Sequence, residues 1–255
     1  MSNLATTSNL IEKLKPQMLK ALPKHITADR MARVALTELR KIPKLQLCDP
    51  TSFCGALMAC AQLGLEPGGA LGYIYLIPFK REVQVILGYR GMIELARRSG
   101  QVVSLSAHEV FENDFFEFEY GLEEKLRHKP ALGNRGPFIA VYAIAHLVGG
   151  GHQIEVMSKQ DVDKIRTRSK AASSGPWATD YEEMSKKTVL RKLFKYLPVS
   201  IEMQNATSLD EQADIGSQDF SDALGDDFEI DIETGEILDE KSNQIDEIEK
   251  ELGAK

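Results

Sequence analysis

From Thr207 to Lys255 the chain carries 17 Asp or Glu and only 3 Lys, a net charge of −14, with few large apolar side chains between the acids. Such a segment cannot bury enough apolar surface to offset the entropy of ordering its backbone. Folding therefore falls to Met1–Ala206, where 28 bases face 21 acids and the net charge is +7. A basic body with a separable acidic tail is the asymmetry of a chain that meets a polyanion and also carries a polyanion mimic. The plainer reading is an ordinary domain with a solubilising tail.

The 255 residues suffice for one substantial core plus that tail, and no apolar stretch approaches the ~20 residues of a membrane span. Residues 1–9 read as a disordered N-terminus, polar and without the apolar core of a secretory signal, so a cytoplasmic protein is expected. Cys48, Cys54 and Cys60 are six apart with no CxxC pair, which supports neither a disulfide framework nor a zinc site.

Period divides the body into 10–64, helical, and 65–206, mixed. Apolar residues at 3–4 spacing predict helices over Leu10–Leu22 and Ala28–Lys41, the second capped by Thr27. Asp49-Pro50 opens a third, Thr51–Leu63, apolar almost all round and closed by Gly64. From Leu71 the period becomes that of strands: Tyr73–Pro78 and Glu82–Leu87 around a basic tip at Lys80-Arg81, Val102–Phe111, Phe115–Tyr120, then Phe138–Val148 and His152–Met157 around three glycines. Short helices are predicted over Met92–Ser99 and from Ser158 to Arg168, and a long one from Ala178 or Thr179 to Leu197. Strands arriving as hairpins predict an antiparallel sheet backed by helices and an α+β class.

No GxxxxGK[ST] motif occurs, and Gly68-Gly69-Ala70-Leu71-Gly72 lacks the lysine that a phosphate-cradling loop needs, so ATP-driven chemistry is not expected. A metal-dependent nuclease could use Asp114 with Glu123, Glu124 and Lys125, although acid-x-Lys triplets recur by chance in so charged a chain. The five histidines share no spacing. On the last helix, stepping about 100° per residue, Val189, Leu190, Leu193, Phe194 and Leu197 form the apolar sector and Lys187, Arg191 and Lys195 a stripe opposite, flanked by Lys192. Lys186 falls inside the apolar sector, where a lysine is costly unless it meets an anion. Further bases neighbour aromatics: Tyr89-Arg90 between glycines, Arg97-Arg98 at a helix end, and Arg166, Arg168 and Lys170 ahead of Trp177. Cations that track phosphates, interleaved with rings that stack on bases, are what a single-strand binder needs.

Several strings together resemble the RecT family of single-strand annealing proteins: Gln62–Pro67, Leu87–Ile93, Arg97–Gln101, Gly175-Pro176-Trp177, Lys186-Lys187-Thr188 and Phe194–Glu202. The resemblance runs from about Ala21 to Glu211 and leaves the tail beyond unmatched; the hairpin tip at Lys80-Arg81 is short for the family. It implies a non-enzymatic, cofactor-free protein of the prophage-encoded kind, promoting annealing and strand invasion without ATP as a homo-oligomeric ring or helical filament. Its implied partners are single-stranded DNA, the annealed duplex and a phage 5'-to-3' exonuclease, with a host single-stranded DNA-binding protein as a further candidate. By that resemblance Arg90, Lys186, Lys187, Arg191 and Lys195 line the DNA groove, and Tyr89 and Trp177 stack on bases or shape it. Two rival readings remain open at this point, the nuclease and a protein-interaction scaffold whose bases pair with its own acidic tail.

Overall fold

The computed structural model of the chain describes residues 3–170, 172–173, 175–198, 200–220, 229–230 and 237–238. The class is α+β, as the alternation of periods predicts, and residues 138–147 pair antiparallel with both 102–111 and 152–158, as 115–119 do with 125–129. The chain divides into two compact units: Met1–Ala70, Ile74–Ile86 and Gln218–Lys255 form one, Leu71–Tyr73 and Leu87–Ser217 the other. Among the described residues no helix is long and apolar enough to cross a membrane.

The first unit is built on α1 (Asn3–Ala21), α2 (Ala28–Lys41) and α3 (Pro50–Leu63), with the hairpin of β1 (Ile74–Phe79) and β2 (Glu82–Leu87). Thr27 and Asp49 cap α2 and α3 by accepting from the backbone N–H groups of Arg30 and Ser52. α3 is buried on nearly every side, and burial pushes the Cys54 and Cys60 thiols up to about 12. These cysteines are packing groups. Residues well past Thr207 also belong here. Gln218 donates to the Val85 carbonyl and accepts from the Val85 N–H, both at 2.7 Å, and so pairs with β2 as a strand neighbour would. Phe220 then lies so close over Gly55 that a Cβ there would sit 2.6 Å from the Phe220 Cβ.

In the second unit α4 (Tyr89–Arg98) leads into β3 (Val102–Phe111), the hairpin of β4 (Phe115–Glu119) and β5 (Lys125–Lys129), then β6 (Phe138–Leu147) and β7 (His152–Ser158). α5 (Lys159–Arg166), α6 (Pro176–Thr179), α7 (Tyr181–Phe194) and α8 (Ile201–Ile215) complete it. The main sheet has the order β3-β6-β7. α7 packs across all three strands on the face that carries Glu109, Val141, Ala143 and Glu155. On the opposite face Phe116 and Leu126 of the β4–β5 hairpin pack over Val110, Ala140 and Tyr142.

Several boundaries differ from the expectation. α1 begins at Asn3, inside the stretch read as disordered, and β5 was not anticipated because Lys125–Lys129 alternates charge with only Leu126 as an apolar residue. Asp180 divides the expected last helix into α6 and α7. The largest difference is α8. Ser200 caps it through the Met203 N–H, and Met203, Ala206, Asp210 and Ala213 are buried, so the boundary placed at Thr207 falls inside a packed helix. Glu229–Ile230 (β8) and Ile237–Leu238 (β9) pair as a short antiparallel ladder, and the rest of the expected tail from residue 221 lies outside the described residues.

Candidate nucleic-acid interface

α7 is polar on one side and apolar on the other, yet both sides are covered. Val189, Leu190, Leu193 and Phe194 seal its sheet side. Opposite them α8 presents Asp210, Glu211 and Asp214 in register with the basic stripe. Lys187 Nζ bonds Asp210 at 2.7 Å, Arg191 reaches Asp210 at 3.1 Å and Asp214 at 2.6 Å, and Lys195 lies 3.2 Å from Glu211. The Asp210 side chain is only 1% exposed and also accepts from the Leu87 N–H at 3.0 Å. Burial works against the Arg191 charge, but Asp210 and Asp214 more than offset it and its pKa is raised. Lys187 and Arg191, expected as groove wall, are therefore buried ion-pair partners. Anions do meet them, and these are carboxylates of the next helix.

Where the stripe ends, the surface opens. Arg168 after α5, Arg191 and Lys192 of α7, and Lys195 and Tyr196 just past it line a cleft of about 490 Å³ whose far wall holds Glu211 and Asp214. Lys192 bonds Glu155 of β7 at 2.6 Å, which raises its pKa. Tyr196 is 63% exposed. The Lys170 N–H donates to the Asp214 carbonyl at 3.2 Å, tying the chain after α5 to α8 beside the cleft. Arg168, Lys192 and Lys195 are the exposed cations of this concavity, and they face the carboxylates of Glu211 and Asp214.

The remaining candidates lie elsewhere or are already engaged. Arg90 is exposed, with its guanidinium 6.0 Å from the Tyr89 ring centroid; Arg97 and Arg98 end α4, the latter bonded to Glu94 at 3.0 Å. Gly91 approaches its own chain rather than leaving room for a ligand, since a Cβ there would stand 2.1 Å from the Tyr73 carbonyl oxygen. Arg166 donates to the Ala172 carbonyl at 2.7 Å and sits over Tyr181. Trp177, expected as a stacking or groove-shaping group, is 4% exposed and packs at 6.0 Å from Tyr181; this buried ring is a core residue and offers no face to a base. Lys186 in the apolar sector is half-buried between Glu183 at 2.5 Å and Glu109 at 3.6 Å, so its cost is met by ion pairing.

The carboxylate considered for a metal is occupied. The Asp114 side chain is shielded from solvent and accepts from Arg135, from the Phe111 and Ala131 N–H groups, and shares a hydrogen bond with His128. Arg135 foremost holds its carboxyl well below the usual range. His128 is in turn bonded to Tyr142 at 3.2 Å, so the network pins the β4–β5 hairpin to β6. Glu123 and Lys125 are exposed near the hairpin turn and 3.6 Å from each other.

Sequence reasoning missed Tyr196 and the three acids of α8. A signal existed: Met203, Ala206, Asp210 and Ala213 repeat at 3–4 spacing behind the Ser200 cap.

The RecT family model matches residues 29–223 of this chain. Protein RecT of Escherichia coli strain K12 is 55% identical over 207 residues, covering 78% of this chain and 77% of that protein. A Bacillus subtilis strain 168 protein described as uncharacterized protein YqaK is 28% identical over 207 residues, covering 81% of this chain and 69% of that protein. Together with the cationic cleft, the match places the chain among the DNA-binding proteins of recombination and strand annealing. It belongs to the RecT family.

Proposed function

We propose that the chain anneals complementary single strands and promotes strand invasion without ATP, as a homo-oligomer, ring or helical filament, on DNA. The observation that carries this reading is the cleft with Arg168, Lys192 and Lys195 beside the exposed Tyr196. Annealing is opposed by repulsion between two phosphate backbones and driven by pairing and stacking in the product. A protein that neutralises phosphates along an open track lowers the opposing term, and no covalent step is required. The missing nucleotide-cradling motif and the fully engaged Asp114 both fit a protein that is not an enzyme.

In this reading phosphates run along Arg168, Lys192 and Lys195, and the exposed cations Arg90, Arg97, Arg98 and Lys170 extend the basic surface. Lys187 and Arg191 act indirectly, by fixing α8 as the far wall. Lys186 positions α7 against β3 through Glu109. A 5'-to-3' exonuclease would supply the single strand, a host single-stranded DNA-binding protein would hold it beforehand, and the setting would be the cytoplasm.

Annealing of two labelled complementary oligonucleotides without nucleotide, with binding measured across a salt series, tests the proposal. The duplex should form faster than without protein, and log affinity should fall with log salt by about 0.7 per phosphate neutralised. A flat salt dependence, or an annealing rate that follows ATP hydrolysis, would overturn it.

A further inference from the structure

The β4–β5 hairpin carries a row of rings with two different ends. Phe116, Phe118 and Tyr120 alternate onto one face, with 5.5 Å between the centroids of each successive pair. The inner end is fixed: Phe116 stacks on Tyr142 at 5.6 Å and 22° and meets His128 edge-on. The outer end is open, with Phe118 47% and Tyr120 49% exposed. The other face of the hairpin sets Glu117 opposite Arg127 and Glu119 opposite Lys125, with Phe115 opposite Lys129, so that face is mostly charged.

β7 joins this row to the cleft. It is an edge strand, and the Val156 N–H donates to the Tyr120 hydroxyl at 2.8 Å. The preceding residue, Glu155, holds Lys192, which lines the cleft. A cleft cation and the open end of the ring row are thus anchored to consecutive residues of one edge strand. Tyr120 and Phe118 have the two-torsion rigidity that makes a ring a low-entropy contact, and the row is braced from below.

We propose that Phe118 and Tyr120 form a base-stacking platform for unpaired nucleobases of a strand whose phosphates lie in the cleft. This rests on the reading of the cleft as a single-strand track. Two half-exposed rings beside a phosphate track match how proteins hold single strands without reading sequence, because every base has a π-face. Stacking also suits annealing: it engages the faces of the bases and leaves their pairing edges open to an incoming strand.

The test uses the full chain, an oligothymidylate, and an abasic strand of equal length that keeps the phosphates and lacks the bases. Wild type should prefer the base-bearing strand, by about five- to a hundredfold for each base stacked. Phe118→Leu, which keeps bulk but removes the ring, should cut that preference severalfold while leaving the salt slope unchanged. Tyr120→Phe, which keeps the ring, should retain the preference. If both strands bind with normal salt dependence and Phe118→Leu leaves their ratio unchanged, the platform is overturned and the track stands. An unchanged ratio with an altered sedimentation coefficient would assign the ring row to contact between copies, also overturning it. Failure of wild type to bind either strand would remove the track itself, and the platform with it.

Discussion

Arg191 and Lys192 are neighbours in sequence on one helix and meet opposite surroundings. Arg191, with Lys187 one turn before it, is closed under α8 on Asp210 and Asp214; Lys192 and, three residues on, Lys195 are exposed at the cleft. A helical wheel assigns all four to the polar side of α7, because it registers hydrophobicity and not what lies opposite. The difference teaches that a basic stripe has two uses, and that its buried members stabilise while its exposed ones are available to a ligand. The two uses predict opposite phenotypes.

The largest effect is expected from the closed set. Asp210→Ala leaves Lys187 without its carboxylate in a buried site and removes the acceptor of the Leu87 N–H. Breaking a buried pair from one side costs about 3–5 kcal/mol. The chemical-unfolding midpoint should fall accordingly. Lys187→Met with Asp210→Leu, which removes both charges of that pair, should recover part of the loss, the remainder reflecting the Leu87 N–H and the Arg191 contact that still lack Asp210; a single variant as stable as wild type would break the distinction.

A smaller loss tests the second closed ion pair by pH. Arg135 depresses the folded-state pKa of Asp114 below the unfolded value of about 3.9. The carboxylate therefore contributes stability that is fully present above that value and is lost as pH falls from there towards the depressed one. Asp114→Asn should be less stable than wild type at neutral pH, with the gap narrowing as pH falls below about 4, read from thermal melts across an acid series. A constant gap would mean that Asp114 acts by shape alone.

These closed pairs also mark where the sequence was legible. Caps at Thr27, Asp49 and Ser158, the glycine stop at Gly64 and the hairpins β1–β2 and β6–β7 follow from local chemistry, and they appear where local chemistry puts them. α8 did not, because acids at Asp210, Glu211 and Asp214 hid its buried row in a compositional average, and their partners lie 19–23 residues away in sequence. Trp177 and Lys187 carry the same lesson. Residue type suggested a ligand, but burial is a property of the whole fold. Lys192, Lys195 and Arg168 lie exposed at the cleft, and there residue type and surroundings agree even though Lys192 bonds Glu155 and Lys195 meets Glu211.

For the open set, the prediction concerns DNA and barely concerns stability. Lys195 and Glu211 form a pair exposed on both sides, so Lys195→Ala should shift stability by less than about 0.5 kcal/mol. Its log–log salt slope for single-strand binding should fall by about 0.7, the contribution of one phosphate contact. Arg168→Ala should behave alike. A variant that unfolds several degrees early yet binds with the wild-type slope would place Lys195 with Lys187.

The smallest effect is expected from the acidic end. Removing α8 would destroy the closed pairs, so the cut that isolates the acids beyond them falls after Phe220, where the chain still carries 13 acids and 3 lysines. Those acids are tethered to the cleft's own chain, and tethering raises their effective concentration well above that of free anion in solution. They compete with phosphates for Lys192, Lys195 and Arg168 if they reach them. Competition predicts that the truncated protein binds single strands more tightly at low salt, by a few-fold, and that the gain vanishes as the Debye length shrinks towards about 8 Å at 0.15 M. Melting temperature should change little, since Phe220 and everything before it is retained and only the short β8–β9 ladder is lost. Equal affinities at every salt concentration, with only solubility altered, would show that the acids repel other copies and leave the open cations alone.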